Sequence, residues 1–221
     1  MGNFTKALLS WSSGKDSAFA LGEVLRAKEF EVAGLLTTVT DGFNRVSMHG
    51  VREELLDRQA EEIGLPLYKI RIPFPCPNEV YEKKMSDFLI EWKGRGVRHM
   101  IFGDLFLEDV RAYRVKNLAK VGMEAIFPLW LRDTKALAQS MIDAGFKARI
   151  VCVDLKKLSK DFGGRAFDNK LLADLPQECD PCGEKGEFHT FVYGGPIFKK
   201  EISVQVGERV EREGFGFTDL A

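Results

Sequence analysis

Continuous apolar stretches alternate with segments whose apolar residues recur at helical spacing, and this alternation predicts the fold class. Ala7-Leu8-Leu9-Ser10-Trp11 reads as a buried strand, followed by Val32 to Val39, Leu67 to Ile72, His99 to Phe102 and Ala125 to Leu129. Between them, a helix from Ser17 to about Lys28 carries a stripe of Ala18, Leu21, Val24 and Leu25. A second, from about Gly50 to Ile63, carries Val51, Leu55, Leu56, Ala60 and Ile63 and is stopped by Gly64. Pro73, Pro75 and Pro77 force an extended link into a third helix with Tyr81, Met85, Phe88, Leu89 and Trp92 on its inner face. A fourth runs from about Glu108 to Val121 and closes at Gly122. Apolar rather than alternating strands, separated by helices, predict a Rossmann-like parallel sheet covered on both faces across residues 1–131.

The pattern changes after residue 131. A helix near Lys135 to Ala144, a strand from Ala148 to Asp154 and two late β segments, Phe188 to Tyr193 and Ile202 to Val206, suggest a smaller α+β domain over 132–221. Ile202, Val204 and Val206 alternate with polar residues, as a half-exposed strand would. No internal repeat or low-complexity segment interrupts either part.

The chemistry begins between the first strand and the first helix, at Ser12-Ser13-Gly14-Lys15-Asp16-Ser17. Small residues let successive backbone N–H groups approach an anion, the helix N-terminus adds partial positive charge, and Lys15 supplies an ammonium for a β- or γ-phosphate. The run differs from a P-loop, which needs a Gly five residues before the Gly-Lys pair and a Ser or Thr directly after it; Leu9 and Asp16 stand there instead. Without that hydroxyl to hold Mg²⁺, γ-phosphoryl transfer is disfavoured. Ligands of parallel sheets sit at the carboxyl ends of the strands, near the reversal of strand order. That places residues 12–17, Thr37-Thr38 and Gly103-Asp104 around one crevice. Asp104 is suited to Mg²⁺ on a polyphosphate, or to capping the next helix. Arg111 and Arg114, at i and i+3, share a helical face and suit phosphate or a substrate carboxylate, or form a charged surface. His49 could approach the nucleotide or cap a helix and is kept out of the catalytic set.

Composition narrows the picture. The 221 residues are 45% hydrophobic, enough for a sizeable core. Lys plus Arg total 32 against 33 acidic residues, a balance without the footprint of a nucleic-acid or anionic-membrane binder. No apolar run approaches the roughly 20 residues of a membrane span, and residues 1–6 lack the basic and apolar regions of a secretory leader, so a cytoplasmic enzyme is expected. Four cysteines, at 76, 152, 179 and 182, are too few for a secreted disulfide framework, and reduced thiols are expected. Cys179 and Cys182 have metal or redox spacing but lack a second pair.

Two further stretches give the loop its context. The six-residue loop resembles the SGGKDS loop of PP-loop ATP pyrophosphatases, with Ser13 in place of the usual Gly, a substitution that costs stability if the backbone there needs positive φ. Gly103-Asp104, Arg111, Arg114 and Pro128-Leu129-Trp130 resemble a GD…R..R…PLW pattern, and Cys182-Gly183-Glu184-Lys185-Gly186-Glu187-Phe188-His189-Thr190 resembles a CGENGEFHT motif. Together they are similar to the diphthine–ammonia ligase family. The resemblance implies an amide-forming enzyme that uses ATP and Mg²⁺ to adenylate a carboxylate, releases pyrophosphate and takes its nitrogen from ammonium. The acceptor it implies is diphthine on elongation factor 2, or a small carboxylic acid. No cis-acting glutamine-hydrolysing domain is visible, and a homodimer is the default assembly.

The late motif crowds Glu184, Glu187 and His189 around Gly183 and Gly186, and clusters of this kind have perturbed proton affinities. Ammonium must lose a proton before it attacks, so a carboxylate or imidazole beside the nitrogen is required. With the resemblance, Lys15, Asp104, Glu184, Glu187 and His189 form the expected catalytic set, and Arg111, Arg114 and Gly186 the expected substrate contacts. A sulfur-transfer enzyme using Cys179 and Cys182, and a non-catalytic ATP-binding module, are the competing readings.

Overall fold

The computed structural model describes residues 4–41, 45–46 and 50–221. In chain order it forms β1 (Thr5–Ser10), α1 (Lys15–Ala27), β2 (Phe30–Thr40), β3 (Arg45–Val46), α2 (Glu53–Ile63), β4 (Leu67–Ile72), α3 (Asn78–Gly94), β5 (Val97–Ile101), α4 (Glu108–Lys120) and β6 (Glu124–Ile126). The C-terminal part adds α5 (Thr134–Asp143), β7 (Lys147–Asp154), α6 (Asn169–Asp174), β8 (Phe188–Gly194), β9 (Val206–Arg212) and β10 (Phe215–Leu220). His49 lies outside the described residues.

Five strands run parallel in the order β4-β2-β1-β5-β6, and the two-residue β3 joins β2 antiparallel. The chain winds outward from β1 to β2 and β4, then returns to β5, so strand order reverses between β1 and β5. A crevice at that switch point is where a doubly wound sheet binds its ligand.

Alternation along each strand sends side chains to opposite faces, and both faces are covered. Ala7 and Leu9 pack with Ala18 and Leu21 of α1 and Leu55 and Leu56 of α2. Leu8, Leu36 and Met100 pack with Leu89 and Trp92 of α3 and Leu118 of α4. Each buried leucine contributes about 2 kcal/mol, which makes these two faces the main stabilisation of the parallel sheet. Leu25, expected in the α1 stripe, is 43% exposed at its margin.

The smaller sheet is antiparallel, in the order β8-β7-β10-β9. Its Ile150, Phe188 and Phe191 belong to the same apolar cluster as α1, and Phe19 meets Phe146 edge-on with ring centroids 5.5 Å apart. The expected strand from Ile202 to Val206 is not formed. Ile202 N donates a single bond to Tyr193 O at 2.8 Å, and Gln205 exchanges bonds with Ala221, leaving the strand to begin at Val206. β9 is almost wholly exposed and pairs with β10 through its backbone, so its charged sequence carries no apolar alternation. Among the described residues, no helix is long and apolar enough to cross a membrane.

Candidate functional site

The loop between β1 and α1 is fixed from three sides. Trp11 N donates to Leu36 O at 2.7 Å, which holds the loop's start against β2. The Trp11 indole donates to Gln59 Oε1 at 2.8 Å, and Gln59 Nε2 donates to Ser13 O at 3.1 Å and Val192 O at 2.6 Å. Val192 N also donates to Ser13 O, at 2.9 Å. A buried amide on the apolar stripe of α2 thus ties the loop to β8. Within the loop, Ser17 Oγ donates to Gly14 O at 3.0 Å, and the Ser12 and Ser17 hydroxyls lie 3.0 Å apart. Gly14 caps α1 without a side-chain bond, and the first helical N–H, that of Lys15, is taken by Thr190 Oγ1 at 3.1 Å.

Ser13 adopts φ 67°, the left-handed region that glycine occupies without penalty. Its buried Oγ has no hydrogen-bond partner among the described residues. The Ser13→Gly variant is therefore expected to be more stable by about 1 kcal/mol: relief of the left-handed strain and of the unpaired hydroxyl exceeds the extra freedom glycine has when unfolded. Thermal unfolding should show a midpoint roughly 2–4 °C higher; an unchanged or lower midpoint refutes the strain.

β5 delivers the other wall. A Cβ on Gly103 would lie 2.8 Å from the Asp16 carbonyl carbon and 2.9 Å from Ser17 N, so the end of β5 touches the loop backbone directly. Asp104 follows and pairs with Arg114, Nη2 to Oδ1 at 3.0 Å and Nε to Oδ2 at 2.8 Å. Arg111, though on the same helical face as Arg114, lies over the rings of Phe127 (5.4 Å) and Trp130 (5.0 Å). Thr37 is buried and Thr38 half-buried in β2, just beyond the Trp11–Leu36 bond.

The C-terminal part closes the site. Lys15 is 2% exposed; its Nζ lies 3.0 Å from both Asp16 carboxylate oxygens, donates to Cys182 O, and sits over the rings of Phe167 (5.2 Å) and Phe188 (5.4 Å). The ammonium is therefore turned inward toward the late motif. Burial alone would lower its pKa, but the Asp16 and Glu184 carboxylates outweigh burial and raise it. Burial raises the Asp16 carboxyl, against the pull of Lys15. Lys15 N donates to Thr190 Oγ1 at 3.1 Å.

Glu184 Oε1 accepts from Leu105 N at 2.8 Å. Burial, reinforced by the negative charges of Asp16 and Asp104, pushes its carboxyl up to about 7, against the Leu105 bond and Lys15. Asp180 Oδ1 holds the turn by accepting from Cys182 N at 2.9 Å and Glu184 N at 3.2 Å. Gly183, at φ 70°, has no room for a side chain because a Cβ would meet Phe188 O at 2.8 Å; Gly186, at φ 80°, completes the turn in open space. Glu187 is 3% exposed and accepts from Asp180 N at 3.1 Å, which places it behind the turn. Strand alternation puts His189 on the opposite side of β8 from Phe188 and Thr190, the two residues that meet Lys15.

The structure thus brings together the loop, Gly103, Asp104, Arg114 and Glu184, while Glu187 bonds Asp180 N and Arg111 lies over Phe127 and Trp130. Gln59, Thr190 and Phe167 are contacts that the sequence reading did not assign. Gln59 had a signal, a polar residue among Leu55, Leu56 and Ala60, and Thr190 ends the quoted motif. The four cysteines are free thiols. Burial pushes Cys179 up to about 12 and raises Cys182 as well, and the Cys182 thiol donates to Thr134 O at 3.4 Å.

Two family models cover this arrangement: the diphthamide synthase N-terminal domain over residues 5–125 and the diphthamide synthase C-terminal domain over residues 133–221. The diphthine–ammonia ligases of Bos taurus and Homo sapiens are each 28% identical over 233 residues, spanning 95% of this chain and 86% of theirs. That of Schizosaccharomyces pombe is 27% identical over 218 residues, and this chain spans only 36% of its length while 90% of this chain is covered. A solved structure, the U34-tRNA thiolase NcsA from Methanococcus maripaludis with its [4Fe-4S] cluster, aligns at TM-score 0.39 and 15% identity over 64% of this chain and 58% of that one, too loosely to bear on function.

Proposed function

Because the chain belongs to the diphthamide synthase family, we propose that it is an ATP-dependent carbon–nitrogen ligase that forms AMP, joining ammonia to a carboxylate of the diphthine type. Bound ATP would supply activation of that carboxylate by attack at the α-phosphorus, with pyrophosphate leaving. The N-terminus of α1 and the backbone of residues 12–17 would hold the departing phosphates. The fit is physical: the loop is pinned at Ser13 O by two donors, and Gly103 is bare where a side chain would strike the loop. Mg²⁺ typically takes one or two carboxylates and keeps substrate oxygens as its remaining ligands. Asp104 and Asp16 are the carboxylates that would supply these ligands, each by leaving the cation it pairs with here, Arg114 and Lys15.

Glu184 carries the reading. A carboxylate that titrates near neutral pH beside the crevice takes the proton that ammonium must lose, and the free amine attacks the activated acyl carbon as AMP departs. Sulfur transfer would need a thiolate, and burial keeps Cys179 and Cys182 protonated.

The test is product analysis. Incubation with labelled ATP, ammonium and a panel of carboxylic acids, diphthine-bearing protein included, should yield AMP and pyrophosphate in proportion to amide. ADP as the sole nucleotide product overturns the cleavage position and the proposal with it.

A further inference from the structure

The donors that would hold phosphates are already engaged by the protein itself. Lys15 N, the first amide of α1, donates to Thr190 Oγ1 at 3.1 Å, and Lys15 Nζ donates to Cys182 O. Gly14 N donates to Ser12 Oγ at 3.3 Å and Ser12 N to Ser17 Oγ at 3.4 Å. Three hydroxyls thus accept from amides that phosphate oxygens would otherwise take, while the buried hydroxyl of Ser13 has no partner among the described residues.

These ties are of two kinds. Ser12 and Ser17 belong to the loop and move with it. Thr190 and Cys182 belong to the C-terminal part, 175 and 167 residues further along the chain than Lys15. A Cβ on Gly14 would lie 3.2 Å from Thr190 O, so the backbone of β8 sits directly on the loop. The Lys15 ammonium, 2% exposed between the rings of Phe167 and Phe188, is turned away from an incoming anion as long as it holds Cys182 O. A ligand shifts a conformation only through contacts made in one state and missing in the other. Phosphate oxygens compete for the same two donors as Thr190 and Cys182, which supplies that difference.

We propose that Thr190 Oγ1 and Cys182 O form a latch that fastens the phosphate loop to the C-terminal turn, and that a pyrophosphate group releases it by taking the amide and the ammonium of Lys15. The latch rests on the reading of residues 12–17 as a phosphate loop. Glu184 lies two residues beyond Cys182, so release of the turn couples occupancy of the loop to the placement of the proton acceptor, and the coupling is reciprocal.

The full chain is titrated with inorganic pyrophosphate by calorimetry. Thr190→Val removes the acceptor at nearly constant shape, which leaves Lys15 N buried and unpaired until a phosphate oxygen fills it. That variant should therefore bind pyrophosphate about five- to tenfold more tightly than the wild type. Thr190→Ser keeps the hydroxyl and should stay within about twofold of it. Unchanged or weaker binding by Thr190→Val refutes the latch, as does a Thr190→Ser variant that binds as tightly as Thr190→Val. A second measurement needs no variant, so it stands even where Thr190→Val fails to fold. With saturating pyrophosphate, hydrogen exchange in the wild type should slow at residues 11–17 and quicken about two- to tenfold at residues 180–187, the factor for one lost net hydrogen bond. Slower or unchanged exchange at 180–187 refutes the latch as well. Wild-type protein that binds no pyrophosphate removes the phosphate-loop reading and the latch together, whereas binding without these responses removes the latch alone. ADP in the product assay would leave both measurements standing.

Discussion

Glu184→Gln is expected to lower the rate of amide formation by about 10²–10³-fold, the range of a positioned general base, while ATP affinity changes little. Glutamine keeps an oxygen to accept from Leu105 N, so the turn held at 2.8 Å is preserved and only the proton acceptor is lost. The wild-type rate should rise with pH through a midpoint near 7, because Glu184 must be ionised to accept a proton. Below that midpoint the rate should fall about tenfold per pH unit, and in the Gln variant the inflection should disappear.

Stability carries the opposite sign. The folded protein holds a proton on Glu184 up to about pH 7, whereas the unfolded chain releases it near the ordinary glutamate value of 4.5. Between those values the folded state binds more protons, so this carboxyl's contribution to stability declines as pH rises through the window, just as activity grows. A rate profile flat from pH 5.5 to 8, or a Gln variant with full activity, assigns the proton to another group.

How much of this was legible in the sequence depends on what each feature is made of. The five parallel strands were readable because strands buried on both faces are continuous apolar runs, as at Ala7-Leu8-Leu9. The loop's convergence with Gly103 followed from the rule that ligands lie at a switch point. β9 was not readable, since an exposed edge strand needs only its backbone. The cost at Ser13 was legible as a condition on φ, and the observed 67° meets that condition. Arg111 and Arg114 share a helical face, yet one stacks on Phe127 and Trp130 and the other pairs with Asp104, a division set by the loops opposite them. The proton affinity of Glu184 depends on Asp16 and Asp104, neighbours only in the folded chain. The partner of Lys15, the carbonyl of Cys182, is backbone and leaves no trace in residue type.

Lys15→Met should destabilise the protein by about 3 kcal/mol, the lower end of what breaking a buried ion pair costs. The side-chain stem and its contact with Phe167 and Phe188 survive in methionine, but the Asp16 carboxylate loses the charge 3.0 Å away and Cys182 O loses its donor. The lower end applies because Asp16 retains 28% side-chain exposure and can recover some hydration, whereas Lys15 retains 2%. For a chain of this length the midpoint of thermal unfolding should fall by roughly 6–12 °C. Adding Asp16→Asn should restore more than half of the loss, since it removes the uncompensated charge, leaving mainly the carbonyl unpaired. This pair of variants separates two roles for Lys15. An ammonium free to grip phosphate would leave the melting point of the ATP-free protein unchanged when removed, and its loss would register only in nucleotide binding. An ammonium that fastens the loop to the turn at Cys182 registers without any nucleotide, and its loss also loosens the β1–α1 loop that must hold the phosphates.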